Sequence, residues 1–146
     1  MTATAVAATD GHPLAAHRYD APGAVRGSVV IAPAMAISQR FYTAFATWLA
    51  ARGYVAWTFD YRGTGESLPG SMRGAPGTLD DWCLRDYDAL LQAAHALHPD
   101  RPLFALGHSF GGRLVSFALR GLPEGVHTVK SVTLLQGAFS HYAFAS

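Results

Sequence analysis

The sequence contains a single cysteine, Cys83, so no disulfide closes within the chain and a small secreted scaffold built on cross-links is excluded. A reducing compartment, the cytoplasm, is the expected setting. Charge is also sparse: Asp, Glu, Lys and Arg make up 14% of the residues and nearly cancel, leaving a net +1. The 11 basic residues are scattered, with no stripe of the kind that tracks phosphates, so nucleic acid is not an expected partner. Long apolar runs are missing as well. The longest mostly apolar window, residues 29–37, is interrupted by Pro33 and falls far short of the about 20 residues that span a bilayer, so no membrane segment is expected. Residues 1–10 carry neither a basic segment nor a sustained apolar run; they do not read as a leader and are expected to form a frayed start. The seven histidines show no metal-ligand spacing such as H-E-x-x-H, so no metal is expected. No glycine cluster matches a phosphate loop or a dinucleotide fingerprint, so no cofactor is expected either.

What is present suffices for a core. Half of the 146 residues are hydrophobic, which fits one domain over residues 1–146. Residues 14–19 form a short strand between turn-forming Gly11 and Pro13 on one side and Pro22-Gly23 on the other, expected at a sheet edge. Residues 28–32 (Ser-Val-Val-Ile-Ala) are an unbroken run without polar alternation, which suits a parallel strand covered on both faces. Ser38 caps a following helix in which Phe41, Phe45, Trp48, Leu49 and Arg52 recur at helical spacing, and Gly53 stops it. Residues 54–59 are the next strand. Beyond a Gly- and Pro-rich loop at 62–77, Thr78 caps a second helix whose apolar face is Trp82, Tyr87, Leu90, Leu91, Ala94 and Leu97. Asp80, Asp81, Asp86 and Asp88 take capping and solvated-face roles there. Residues 102–106 form a buried strand, 112–120 a third helix, and 129–135 a last strand. Strands alternating with helices in this order imply right-handed crossovers and a mostly parallel sheet with helices on both faces.

Between the strand at 102–106 and the third helix lies Gly107-His108-Ser109-Phe110-Gly111, a G-x-S-x-G pattern. In that context the pattern marks a tight strand-to-helix turn that lifts the central serine above the sheet, with glycines where the backbone passes closely. Ser109 is therefore the candidate nucleophile. A serine hydroxyl is a weak nucleophile alone and needs a base and an acid to orient that base. His108 adjoins Ser109, but neighbours on a sharp turn diverge, so its ring is expected to support the turn. A second pattern, Asp60-Tyr61-Arg62-Gly63-Thr64-Gly65-Glu66-Ser67, is a turn in which Asp60 and Arg62 tie the loop to neighbouring backbone.

These two motifs, together with the strand at 29–32 and the Pro33-Ala34-Met35-Ala36 segment after it, resemble the N-terminal portion of an α/β hydrolase. The likeness is to the serine-hydrolase type, including serine aminopeptidase-like and bacterial α/β hydrolases. The resemblance implies an α/β-hydrolase fold, here truncated after the strand that follows the third helix. It also implies hydrolysis of an ester, amide or related acyl bond of a small-molecule substrate through an acyl-enzyme on Ser109. The backbone N–H groups of Phe110 and Met35 are the implied oxyanion donors. Pro33-Ala34 stands where the family usually has His-Gly, so Ala34 is the alternative to Met35. The family's acid and histidine follow later strands, beyond Ser146; within the sequence, His141 is the candidate base. Turnover by this chain alone is expected to be impaired, and a non-catalytic binding module and an acyltransferase are the competing readings. A last strand without its neighbour leaves an exposed sheet edge and an expectation of self-association.

Overall fold

The computed structural model describes residues 1–67, 81–118 and 133–134. Six strands form one sheet in the order β1-β2-β4-β3-β5-β6. They are β1 (Thr2–Ala7), β2 (Pro13–Tyr19), β3 (Gly27–Ala32), β4 (Tyr54–Phe59), β5 (Leu103–His108) and β6 (Thr133–Leu134). The helices are α1 (Thr43–Ala51), α2 (Asp88–Leu97) and α3 (Phe110–Ala118), with a π-helical stretch, Asp81–Tyr87, leading into α2. β1 and β2 are antiparallel to each other, and β2 is antiparallel to β4; all other pairs are parallel.

Every residue of β3 is buried, and the strand's alternation divides that burial between two cores. Val29 and Ile31 pack with Tyr42, Ala46, Leu49 and Ala50 of the α1 side. Val30 and Ala32 pack with Tyr87, Leu90 and Leu91 of the α2 side and with Leu114 and Val115 of α3. An apolar run without polar alternation is what such two-sided burial requires. The path from β3 to β4 moves one way across the sheet, whereas the path from β4 to β5 moves back past β3. Right-handed crossovers in opposite directions put α1 and α2 on opposite faces. α3 packs on the α2 side, so the chain leaving β3 and the chain leaving β5 turn to opposite faces of the sheet.

Four expectations need correction. Residues 2–7 are not frayed: they form β1, pairing with β2 from Thr2↔Arg18 to Ala7↔Pro13. Alternating β-branched residues suffice for a strand once a partner supplies the hydrogen bonds, and Val6 is drawn into the core. It follows that β2 is not at the sheet edge, since β1 and β4 flank it. In α1 the aromatic stripe faces outward: Phe41, Phe45 and Trp48 are exposed, and only Leu49 of the expected set is buried. Small residues, Ala46 and Ala50, let the helix approach the sheet, and Arg52 stacks over Trp48 at 3.8 Å on the outer face. Finally, Asp86 is not on a solvated face; its side chain is fully buried against Arg62.

Elsewhere the elements follow the expected pattern. Ser38 caps through its Oγ, which accepts from the Arg40 N–H at 3.4 Å, although the first turn, Gln39–Tyr42, is 3-10 rather than α. Gly53 ends α1 at φ +92°. The α2 face is buried at Tyr87, Leu90, Leu91 and Ala94, while Leu97 is exposed. Thr78, Asp80 and most of the loop at 62–77 lie outside the described residues, as does most of the expected strand at 129–135. Among the described residues, no helix is long and apolar enough to cross a membrane.

Candidate active site

The turn between β5 and α3 has a geometry that its residues explain. Ser109 adopts φ +54°, in the left-handed region, and α3 begins at the next residue, two earlier than expected. Its carbonyl accepts the Gly112 N–H at 3.0 Å, the first bond of the helix. A Cβ on Gly107 would overlap the backbone of Gly111 and Gly112, and one on Gly111 would overlap the carbonyl of Ala32. Both glycines are thus required by close backbone passage. The first N–H groups of α3 have no partner one turn earlier in their own helix, so the Phe110 end carries the positive pole of the helix dipole.

The sheet register brings the second element in. Ala32, the last residue of β3, pairs with Gly107 of β5, so Pro33-Ala34-Met35 leaves the sheet beside Ser109. This loop is held at each peptide group. The Pro33 carbonyl accepts from Tyr61 Oη at 2.9 Å. The N–H of the same peptide group, on Ala34, donates to Tyr42 Oη at 2.8 Å. The next carbonyl, on Ala34, accepts the Ile37 N–H at 3.2 Å. Met35 is half exposed, and Ala36 takes φ +61° to close the turn.

A left-handed residue with a Cβ costs about 1–2 kcal/mol, and glycine escapes that cost at the expense of greater freedom when unfolded. Ala36→Gly is therefore expected to raise stability by about 0.5–1 kcal/mol in urea titrations. An unchanged or lowered midpoint would show that Ala36 is not held in the left-handed region.

Beyond the loop, Gln39 is fully buried and latches it to the second motif. Asp60 accepts the Gln39 N–H at 2.9 Å, Gln39 Nε2 at 3.1 Å and the Glu66 N–H at 2.9 Å. Thr58 Oγ1 donates to Gln39 Oε1 at 2.9 Å. Gly65, at φ +47°, passes so close to Asp60 that a Cβ would sit 2.5 Å from its carboxyl group. Arg62 joins Asp10 and Asp86 by side-chain hydrogen bonds of 2.7–2.9 Å. The motif's role is structural, as its residues suggest, and what it supports is the loop after β3. Neither Gln39, Tyr42 nor Tyr61 stands out in the sequence as a site residue. Only the position of Tyr61 inside the D-Y-R-G pattern was a signal.

His108 points away from a role as proton acceptor. Its Nδ1 lies 2.8 Å from Tyr42 Oη, and Phe41 stacks on its ring at 5.9 Å. Burial pushes the Tyr42 hydroxyl pKa up from its ordinary value, the Ala34 hydrogen bond opposing this, so the hydroxyl stays protonated. Glu66 pairs with His17 at 3.4 Å and Arg40 at 3.6 Å on the surface. Phe110, half-buried, packs edge-on against Trp82 at 6.0 Å and Tyr61 at 6.3 Å. His141 lies outside the described residues. A cavity of about 570 Å³ opens elsewhere, between β2 and α1, where His17, Asp20 and Arg40 line it. None of its lining residues comes from the Ser109 turn or from the loop after β3. Among the described residues, no group of His, Cys, Asp and Glu is arranged to hold a metal ion.

The fold recurs in solved structures. A thermostable carboxyl esterase from Bacillus coagulans superposes with a TM-score of 0.76 at 19% identity, over 89% of this chain and 43% of that one. A soluble variant of monoglyceride lipase from Saccharomyces cerevisiae gives 0.73 at 20% identity, over 99% and 50%. An α/β serine hydrolase without lid from Xanthomonas campestris gives 0.69 at 19%, over 89% and 59%. At such identities the likeness is one of fold, and the chain spans about half the length of these proteins. No match is found among curated proteins. The family profile described as serine aminopeptidase, S33, matches residues 23–139. That match takes in the β3 loop, the D-Y-R-G turn and Ser109, and with the α/β-hydrolase architecture around them it shows that the chain belongs to the serine aminopeptidase S33 family.

Proposed function

We propose that this chain carries the nucleophile elbow and oxyanion hole of a serine hydrolase acting on an ester, amide or related acyl bond. The observation that carries the reading is Ser109 held at φ +54° between β5 and α3, with the β3 loop registered beside it through Ala32↔Gly107. A partly buried serine in the left-handed region at the start of a helix has little structural reason to exist, whereas a nucleophile needs that placement.

In the reaction, Ser109 Oγ attacks the substrate carbonyl while a base takes its proton. The carbonyl oxygen becomes an oxyanion that the Phe110 and Met35 N–H groups stabilise. The Ala34 N–H is already donated to Tyr42, which favours Met35 over Ala34. Collapse of the tetrahedral species breaks the bond to the leaving group, which takes up the proton; water then releases the acyl group from Ser109. His108 is committed to Tyr42, and His141 is retained as the proposed base within this sequence. Met35, Ile37 and Phe41, all exposed, give the β3 side of the site an apolar wall suited to a small acyl substrate. A carboxyl esterase and a monoglyceride lipase share this fold, which agrees with the reading.

Treatment with a fluorophosphonate probe followed by peptide mapping tests it. The expected result is a single covalent adduct on the peptide that contains Ser109. A folded protein that remains unlabelled would replace this reading with that of a non-catalytic binding module.

A further inference from the structure

We infer that Tyr42 is a positioning residue, whose hydroxyl, together with that of Tyr61, locks the Pro33–Ala34 peptide group and so aims the Met35 N–H at the oxyanion. The inference rests on the proposed function and names which side chains set up its oxyanion site. The carbonyl and the N–H of one peptide group, between Pro33 and Ala34, are each held by a tyrosine from a different element: Tyr61 at 2.9 Å and Tyr42 at 2.8 Å. A peptide group is planar, so bonds at both ends fix its rotation. The Ala34 carbonyl is fixed in turn by Ile37. In that trans peptide group the Met35 N–H points away from the Ala34 carbonyl, out of the turn. The direction of the donor is thus dictated by partners on either side of it.

Tyr42 does one thing Tyr61 does not, since its Oη also contacts His108 Nδ1 at 2.8 Å, next to the nucleophile. With the Ala34 N–H donating to Oη, the hydroxyl's single hydrogen is best used on His108 Nδ1. All three groups are then satisfied when the neutral ring carries its hydrogen on Nε2. One hydroxyl therefore joins the loop that supplies one oxyanion donor to the turn that supplies the other. Tyr42 is only 6% exposed and Ala34 7%, so water is a poor substitute for either bond. Preorganised donors are effective because their orientation is set before charge develops, and a misplacement of about 1 Å can cost on the order of 100-fold in rate.

Tyr42→Phe keeps the ring and removes only the hydroxyl, and two readouts test it. Amide exchange followed by NMR is expected to show Ala34 protection falling by at least about tenfold, with the β3 amide of Ile31 unchanged as a control for folding. The inactivation constant for a fluorophosphonate is expected to fall by about 10- to 100-fold, while the probe's binding constant stays within about twofold. A merely structural role would not separate these two constants. Unchanged Ala34 protection, or an unchanged inactivation constant in the folded variant, overturns the inference. If Tyr42→Phe does not fold, His108→Leu removes the hydroxyl's other partner and should show the same split at about 2- to 10-fold. If the wild-type protein does not react at Ser109, the proposed function fails and the oxyanion assignment with it. The exchange experiment still decides separately whether Tyr42 holds the loop.

Discussion

Ser109→Gly is expected to abolish fluorophosphonate labelling and, in the same protein, to raise stability by up to about 1 kcal/mol. The two effects share one cause. At φ +54° a side chain with a Cβ is held in the left-handed region, at a cost of about 1–2 kcal/mol that glycine avoids. Part of the gain is offset because glycine adds about 0.4–1 kcal/mol of freedom to the unfolded chain. Removing the attacking oxygen leaves no nucleophile, and for a serine of this kind the loss is on the order of 10⁶-fold. Ser109→Ala is the informative companion: it should lose the labelling without the gain, since alanine retains the strained Cβ. Labelling that survives in either variant would place the nucleophile elsewhere. Equal stability of the glycine and alanine variants would show that the turn is relaxed, and strain would no longer mark the site.

Arg62→Ala is expected to destabilise the protein by about 3–5 kcal/mol and to make it gain stability more steeply than the wild type on mild acidification. The guanidinium, 5% exposed, binds Asp10 through two bonds of 2.8 and 2.9 Å and the fully buried Asp86 through bonds of 2.7 and 2.9 Å. The Arg62 N–H adds a bond of 2.8 Å to Asp86. It thereby joins the β1–β2 connection, the D-Y-R-G turn and the π-helical stretch before α2. Removing one member leaves a buried carboxylate without its charge partner, which is costlier than the pair was valuable. Asp10 is held well below its ordinary 3.8, chiefly by the hydrogen bonds from Arg62. A depressed carboxylate contributes stability above about pH 4 that is lost as pH falls below it. Burial is the larger effect on the Asp86 carboxyl and raises it above its ordinary value, with the Arg62 hydrogen bonds and charge opposing this. In Arg62→Ala the backbone N–H at 62 still donates to Asp86, but the guanidinium's hydrogen bonds and charge are gone, so Asp86 binds a proton more readily still in the folded state. The variant should therefore gain stability more steeply than the wild type as pH falls from 7 towards 5, and the wild type should weaken in stronger acid as Asp10 takes up its proton. Urea titrations across this range read both slopes. A variant whose slope over this range equals the wild type's would remove Arg62 from the control of these carboxylates.

How far the sequence carried differs from element to element. The strands β3, β4 and β5 were legible because buried parallel strands are short apolar runs, and glycine or proline punctuated them. The β1 strand was not, because alternating Thr and Ala make no commitment until a partner strand is present. The inward face of α1 was not legible because spacing reveals that a helix has a stripe but not which stripe meets the sheet. Tight approach favoured Ala46 and Ala50 over Phe45 and Trp48. The burial of Asp86 was not legible for a related reason: its partner, Arg62, lies 24 residues earlier, and no local pattern ties them together.

The position of Ser109 followed from the chain alone, because G-x-S-x-G between an apolar strand and a helix is a local backbone problem with few solutions. Its glycines are there because neighbouring backbone leaves no room for a Cβ. The rest of the candidate site is not local. That Pro33-Ala34-Met35 lies beside Ser109 depends on the register of β3 against β5. The aim of the Met35 N–H depends on tyrosines eight and 27 residues away from Ala34 along the chain. Such relations arise when strands pair and buried polar groups must find partners, and only the folded chain brings those partners within reach.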